Sequence, residues 1–152
     1  MEPTDWPSAD DWVWNGPLAD PTQWGKPGIV MAFNLECAGC IARGVPFLKR
    51  LAEEHGERLQ IALLHTAYGH RDLPREEVEP TLLRFAQSFA RLPFPVALDV
   101  DGQMAQRWGA EGTPHWFVFD RDGTLVRSVY GSQDNARTRL EYLTQELLDA
   151  AA

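Results

Sequence analysis

Ile29-Val30-Met31-Ala32-Phe33-Asn34-Leu35-Glu36-Cys37-Ala38-Gly39-Cys40 is the stretch from which the fold is read. An apolar run leads into two cysteines three positions apart, and behind them apolar residues recur at Ile41, Val45, Leu48 and Ala52. Steps of four, three and four predict a helix with one buried face. The cysteine pair therefore falls at a strand-to-helix turn. Free backbone N–H groups and the helix dipole favour a thiolate at such a turn. The thiolate is the attacking species in thiol–disulfide exchange. Residue type and position together point to a redox-active dithiol at Cys37 and Cys40.

Working outward, Gly25-Lys26-Pro27-Gly28 reads as the turn that launches a strand over 29–35. His55-Gly56 ends the helix, with Gly56 as the capping glycine. Leu59 to Leu64 is a short apolar run, predicted to be a strand buried on both faces. Residues 66–75 read as a loop. Val78, Leu82, Phe85 and Phe89 then repeat the helical steps until Pro93-Phe94-Pro95. Val96-Ala97-Leu98 reads as a strand. Asp99-Val100-Asp101-Gly102 reads as a turn whose paired aspartates lack the other ligands and the spacing of a calcium loop. A short helix over 103–108, Gly112-Thr113-Pro114 and a strand over 115–119 follow. Asp120-Arg121-Asp122-Gly123 is a hairpin turn that returns through Thr124 to Tyr130. The last helix is expected to start near Ser132 and to bury Ala136, Leu140, Leu143 and Leu147. Ahead of all this, Trp12-Val13-Trp14, Asn15-Gly16-Pro17 and Leu18 read as a strand, a turn and a return. Trp6, Trp12, Trp14 and Trp24 are expected to cap one edge of the core. Crossovers early and a hairpin late give an α/β chain with a mixed sheet.

A chain of 152 residues with 44% hydrophobic and 24% charged residues is expected to form one globular domain over 1–152. A net charge of -8 with no basic cluster argues against nucleic acid and anionic membrane as partners. Two cysteines are too few for a disulfide scaffold, and no stretch has the length and apolarity of a membrane span. Glu2, Asp5, Asp10, Asp11 and Asp20 all precede the first basic residue, Lys26, which is unlike a secretory leader. A cytoplasmic location is the expectation.

Cys-x-x-Cys after the first core strand and Gly112-Thr113-Pro114 before the hairpin, in this order of elements, resembles the thioredoxin fold over 10–148. More narrowly, the chain resembles the TlpA/ResA branch of thioredoxin-like thiol–disulfide oxidoreductases. Asn15-Gly16-Pro17-Leu18, Trp24-Gly25-Lys26-Pro27, Phe94-Pro95-Val96 with Asp99, and Phe119-Asp120-Arg121-Asp122-Gly123-Thr124 carry that likeness. The stretch 66–92 occupies the place of that branch's helical insertion. The resemblance implies a central mixed sheet flanked by helices, with an N-terminal extension. It implies a cis Thr113–Pro114 bond, with the Thr113 backbone offered to a substrate strand. It assigns attack to Cys37 and resolution of the mixed disulfide to Cys40. It implies no cofactor. The partners would be protein or small-molecule disulfides and a thiol reductant that the sequence does not identify.

The chain departs from the family pattern around the dithiol. Glu36 stands where the family usually has Trp, and a carboxylate there disfavours the Cys37 thiolate. Met31 stands at the position of a buried Asp, and Arg43 where the branch often has a carboxylate. The helix proline comes one place late, at Pro46, behind Gly44. The usual proton acceptor for Cys40 is thus missing from both positions. His115 is a candidate replacement because imidazole titrates near neutral pH; the alternative is a strand histidine with no chemical role. A metal-binding chaperone is the competing function. Cys37, Cys40 and His115 would be soft copper ligands, whereas a zinc set with His65 and His70 has the wrong spacing. A thiol peroxidase is a further alternative, but Asn34, Leu35 and Glu36 precede Cys37 where peroxidases place Pro and Thr.

Overall fold

The computed structural model describes residues 5–151. Its elements in chain order are β1 (Trp12–Trp14), β2 (Gly28–Phe33), α1 (Val45–His55), β3 (Gln60–Thr66), α2 (Arg75–Arg84), β4 (Val96–Asp99), α3 (Gln103–Arg107), β5 (His115–Phe119), β6 (Leu125–Tyr130) and α4 (Asp134–Ala151). Among the described residues six strands form one sheet, ordered β1-β4-β3-β2-β5-β6. The β2, β3 and β4 strands run parallel, and β1, β5 and β6 pair antiparallel with their neighbours. The early crossovers and the late hairpin are therefore both present.

Central β2 is buried along its whole length. Side chains alternate across a strand, so each central strand supplies both faces of the sheet. Ile29, Met31 and Phe33 join Leu48 and Leu51 of α1, Leu82 of α2 and Leu140 of α4 in one core cluster. Val30 and Ala32 join Ala105, Trp108 and Phe117 in a second. Only the short α3 lies among the helices of that second cluster, and Trp6, Trp12 and Trp24 pack against it. Trp6 stacks on Trp108 with ring centroids 5.8 Å apart and meets Trp24 edge-on at 5.7 Å. These tryptophans cover a face of the sheet rather than an edge. Trp14 differs: it packs against the first cluster and donates its Nε1–H to the Leu92 carbonyl at 2.9 Å.

Several expected boundaries shift for local reasons. No strand returns after β1. Asn15 has φ 52, the Gly16–Pro17 bond is cis, and residues 17–20 run without a ladder. The β2 strand stops at Phe33 because Asn34 turns the chain. Phe89, expected to be buried, is 78% exposed and stacks on Phe85. In α4 the buried stripe is Ala136, Leu140, Thr144 and Leu148, and Leu143 and Leu147 only flank it. The paired aspartates are structural. Asp99 accepts from Thr66 Oγ1 at 2.9 Å and from the Ala105 N–H at 2.9 Å, and Asp101 accepts from the Gln103 N–H at 3.1 Å. No helix among the described residues is long and apolar enough to cross a membrane.

Candidate active site

The turn that presents the dithiol is built by Asn34. Its side-chain amide donates to the Thr66 carbonyl at 2.8 Å, and its Oδ1 accepts from the Glu36 N–H at 2.8 Å. The Asn34 carbonyl accepts from the Cys37 N–H at 3.0 Å. Cys37 and Cys40 are joined as a disulfide, with Cα atoms 5.3 Å apart. The Cys40 N–H points at Cys37 Sγ from 3.3 Å. This is the free N–H of a helix start, turned toward the sulfur that would carry charge after reduction. The two sulfurs are not equivalent: Cys37 is partly exposed, whereas Cys40 is fully buried.

Pro46 has no N–H to give the preceding turn, and the helix passes through a wide π-type turn at Cys40–Gly44 before α1 begins. Gly44 gives the close approach there. A β-carbon at Gly44 would lie 2.7 Å from Met31 Sδ. Met31, which stands in place of the family's buried Asp, thus lies directly beneath the helix and leaves that spot apolar.

The Thr113–Pro114 bond is cis. The Pro114 carbonyl accepts from the Gly131 N–H at 2.9 Å, and the Gly131 carbonyl accepts from Trp116 Nε1 at 2.8 Å. The next residue, Ser132, abuts the dithiol turn so closely that a β-carbon at Gly39 would collide with its hydroxyl. The connection after β6 therefore joins the Pro114 strand to the Cys37–Cys40 turn.

Glu36 does not stand free beside Cys37, and it does not pair with Arg43. Arg71, from the loop after β3, donates to its two carboxylate oxygens at 3.1 and 2.7 Å. The guanidinium holds the Glu36 carboxyl below its ordinary range. His70, the neighbour of Arg71, places Nε2 2.7 Å from Thr113 Oγ1. His65 is buried against Phe33, and its Nε2 accepts from the Leu35 N–H at 3.2 Å. Burial pulls its pKa down to about 4. A cavity of about 260 Å³ lined by Asn34, Leu35, Glu36, His65, Arg71 and Val78 opens beside this cluster.

His115 is not part of the site. It sits opposite Ala32 in the β2–β5 register, on the face of the second core cluster. Cys40 belongs to the first cluster, across the sheet. Both imidazole nitrogens are engaged: Nδ1 accepts from the Glu111 N–H at 3.1 Å, and Nε2 lies 2.6 Å from Ser128 Oγ. His115 therefore neither takes the Cys40 proton nor serves as a third copper ligand. Among the described residues no group of three or more His, Cys, Asp or Glu side chains is arranged to hold a metal ion. His65 Nε2 faces the Leu35 N–H and His70 Nε2 faces Thr113 Oγ1, and among the described residues neither histidine joins the cysteines in a metal-holding group. Among the described residues no carboxylate or imidazole is hydrogen-bonded to either cysteine. The sequence reading missed His70 and Arg71 as partners of Thr113 and Glu36, and Ser132 as the residue packed against Gly39. All three lie in connections, where no periodicity marks a role.

No family model matches the chain. A solved thiol-disulfide isomerase from Corynebacterium glutamicum is similar to it at 26% identity, over 90% of each chain, with a TM-score of 0.76. The chain is thioredoxin-like. A thioredoxin-like superfamily protein (22% identity, 93% of this chain and 92% of that one, TM-score 0.75) shares the fold. So does a thioredoxin-like protein solved in its oxidised form (18% identity, 92% and 89%, TM-score 0.73). Here the Cys37–Cys40 turn meets Ser132 beside the cis-prolyl segment, and the loop bearing His70 and Arg71 touches both Thr113 and Glu36.

Proposed function

We propose that this thioredoxin-like protein is a disulfide reductase of the TlpA/ResA-like kind. The observation that carries the reading is the inequality of the two sulfurs at a helix start, one reachable and one sealed. The Cys37 thiolate attacks a substrate disulfide, one substrate thiolate leaves and takes a proton, and a mixed disulfide forms. Cys40, as thiolate, then attacks Cys37 Sγ. The second substrate thiolate leaves, and the Cys37–Cys40 disulfide is the oxidised product. Two electrons have passed to the substrate, and an external dithiol must return them. Thr113 offers its backbone to the substrate strand beside the dithiol. The α2 helix and the Phe85–Phe89 turn, inserted between β3 and β4, support placement in the TlpA/ResA-like branch. The substrates are protein disulfides in general.

The test is insulin reduction with dithiothreitol as the electron source. Cys37→Ser is expected to abolish catalysis. Cys40→Ser is expected to accumulate a mixed disulfide that the parent resolves. Insulin reduced as fast by Cys37→Ser as by the parent would remove Cys37 from its role.

A further inference from the structure

We infer that the loop after β3 is a two-pronged strap between the turn before Cys37 and the cis-prolyl segment, and that His70 is a positioning residue for the docked substrate strand. The inference rests on the reductase reading and adds to it the part that holds Thr113 in place. The loop is itself fixed at its base. The Ala67 N–H reaches the Asp99 carbonyl at 3.3 Å, the Tyr68 N–H reaches Thr66 Oγ1 at 3.1 Å, and the His70 N–H reaches the Ala67 carbonyl at 2.8 Å. Gly69, with φ 80, supplies the reversal before the next two residues.

Those two residues reach different segments. His70 Nε2 meets Thr113 Oγ1 at 2.7 Å, on the residue before Pro114. Arg71 grips Glu36, the residue before Cys37, through two hydrogen bonds. Consecutive Cα atoms are about 3.8 Å apart, so one dipeptide ties the turn before Cys37 to the segment that leads into β5. The prongs are unequal. The Arg71–Glu36 pair is solvent-exposed, where ion pairs contribute little. The His70–Thr113 contact is partly buried and holds the residue whose backbone takes the substrate. Without it Thr113 must be ordered at each binding event, a cost that appears in binding rather than in bond exchange. A small disulfide needs no strand pairing and is indifferent to that cost.

The experiment compares insulin with a small aromatic disulfide (Ellman's reagent) as substrates of the full chain. In His70→Ala the ratio of kcat/KM for insulin to that for Ellman's reagent is expected to fall about three- to tenfold, the range set by one hydrogen bond. The fall is expected in KM. His70→Gln, whose amide can hydrogen-bond Thr113 Oγ1, is expected to recover most of it. An unchanged ratio, equal slowing on both substrates, or a shift in the reduction potential of the Cys37/Cys40 pair would overturn the inference. Should His70→Ala fail to fold, Thr113→Val removes the other partner, and its ratio is expected to fall likewise. Where both variants fold, the double variant is expected to lose no more than either alone. A parent inactive on insulin would sink the reductase reading itself. An active parent that His70→Ala matches would sink the strap alone.

Discussion

At Cys37 three local fields act on the thiolate: the helix start behind it, Glu36 beside it, and Arg71 across from Glu36. The bidentate pair turns an adjacent negative charge into a near-neutral unit, so the helix start sets the sign. Removing either partner unmasks the other. Arg71→Ala is expected to slow alkylation of reduced Cys37 at neutral pH, and Glu36→Gln to speed it. Each change should be about twofold or less, because the charges act through solvent. Both effects should shrink with added salt. Changes of the same sign in the two variants would show that the pair acts on the loop's shape and not on the thiolate. Cys37, Cys40 and Thr113 could be singled out from the sequence because each lies in a motif. Arg71 could not, because an arginine in a polar loop carries no signal until its partner is known.

The helix that follows the dithiol shows how one local conflict is resolved. Pro46 breaks the ladder, the wide turn at Cys40–Gly44 absorbs the break, and the missing side chain of Gly44 lets that turn settle onto Met31. Gly44→Ala would gain helix propensity on an exposed surface. Here it is expected to destabilise the oxidised protein by about 1–2 kcal/mol through overpacking. Urea unfolding is the measurement. Met31→Val in the same chain should recover part of the loss, and strict additivity in this double-mutant cycle would mean the two sites do not meet. The strand and helix order was readable because periods of two and of three to four residues alternate cleanly. The π-type turns were not, since sequence marks a proline but not how the preceding turn yields to it. Phe89 misled for a related reason. It keeps helical spacing from Phe85, but the wide turn at Phe85–Phe89 rotates it out to solvent.

Across the whole molecule, the two faces of the sheet are finished differently. Helices α1, α2 and α4 cover the dithiol face, and tryptophans with the short α3 cover the other. His115 went to the tryptophan face because strand alternation, which sequence does display, assigns it opposite Trp116. Its proximity to Pro114 in the chain was the misleading cue. Acid stability belongs to this scale. Burial depresses His65, His70 and His115, with His65 drawn to about 4. The unfolded chain binds a proton at each of these residues near pH 6.5, while folded His65 resists until about pH 4. Between those values the unfolded state holds more protons, so stability is full above the window and falls as pH drops through it. His65 alone accounts for roughly 3 kcal/mol of that loss. The urea midpoint of the oxidised protein is expected to fall between about pH 7 and about pH 4.5, and His65→Gln should flatten the slope. Parallel slopes for parent and variant would assign the acid sensitivity to other groups.

Burial of Cys40 has a kinetic consequence. A closed disulfide with one reachable sulfur has a single door. The thiol that reopens it must strike Cys37, and the substrate that closes it also leaves from Cys37. Electron donor and electron acceptor therefore take turns at one atom and never occupy the protein together. Double-reciprocal plots at several donor concentrations would be parallel lines, the mark of a ping-pong cycle. The mixed disulfide with the substrate would last as long as the first-order approach of the sealed sulfur requires, whatever the amount of substrate outside, whereas the one with the donor is released by the donor's own second thiol.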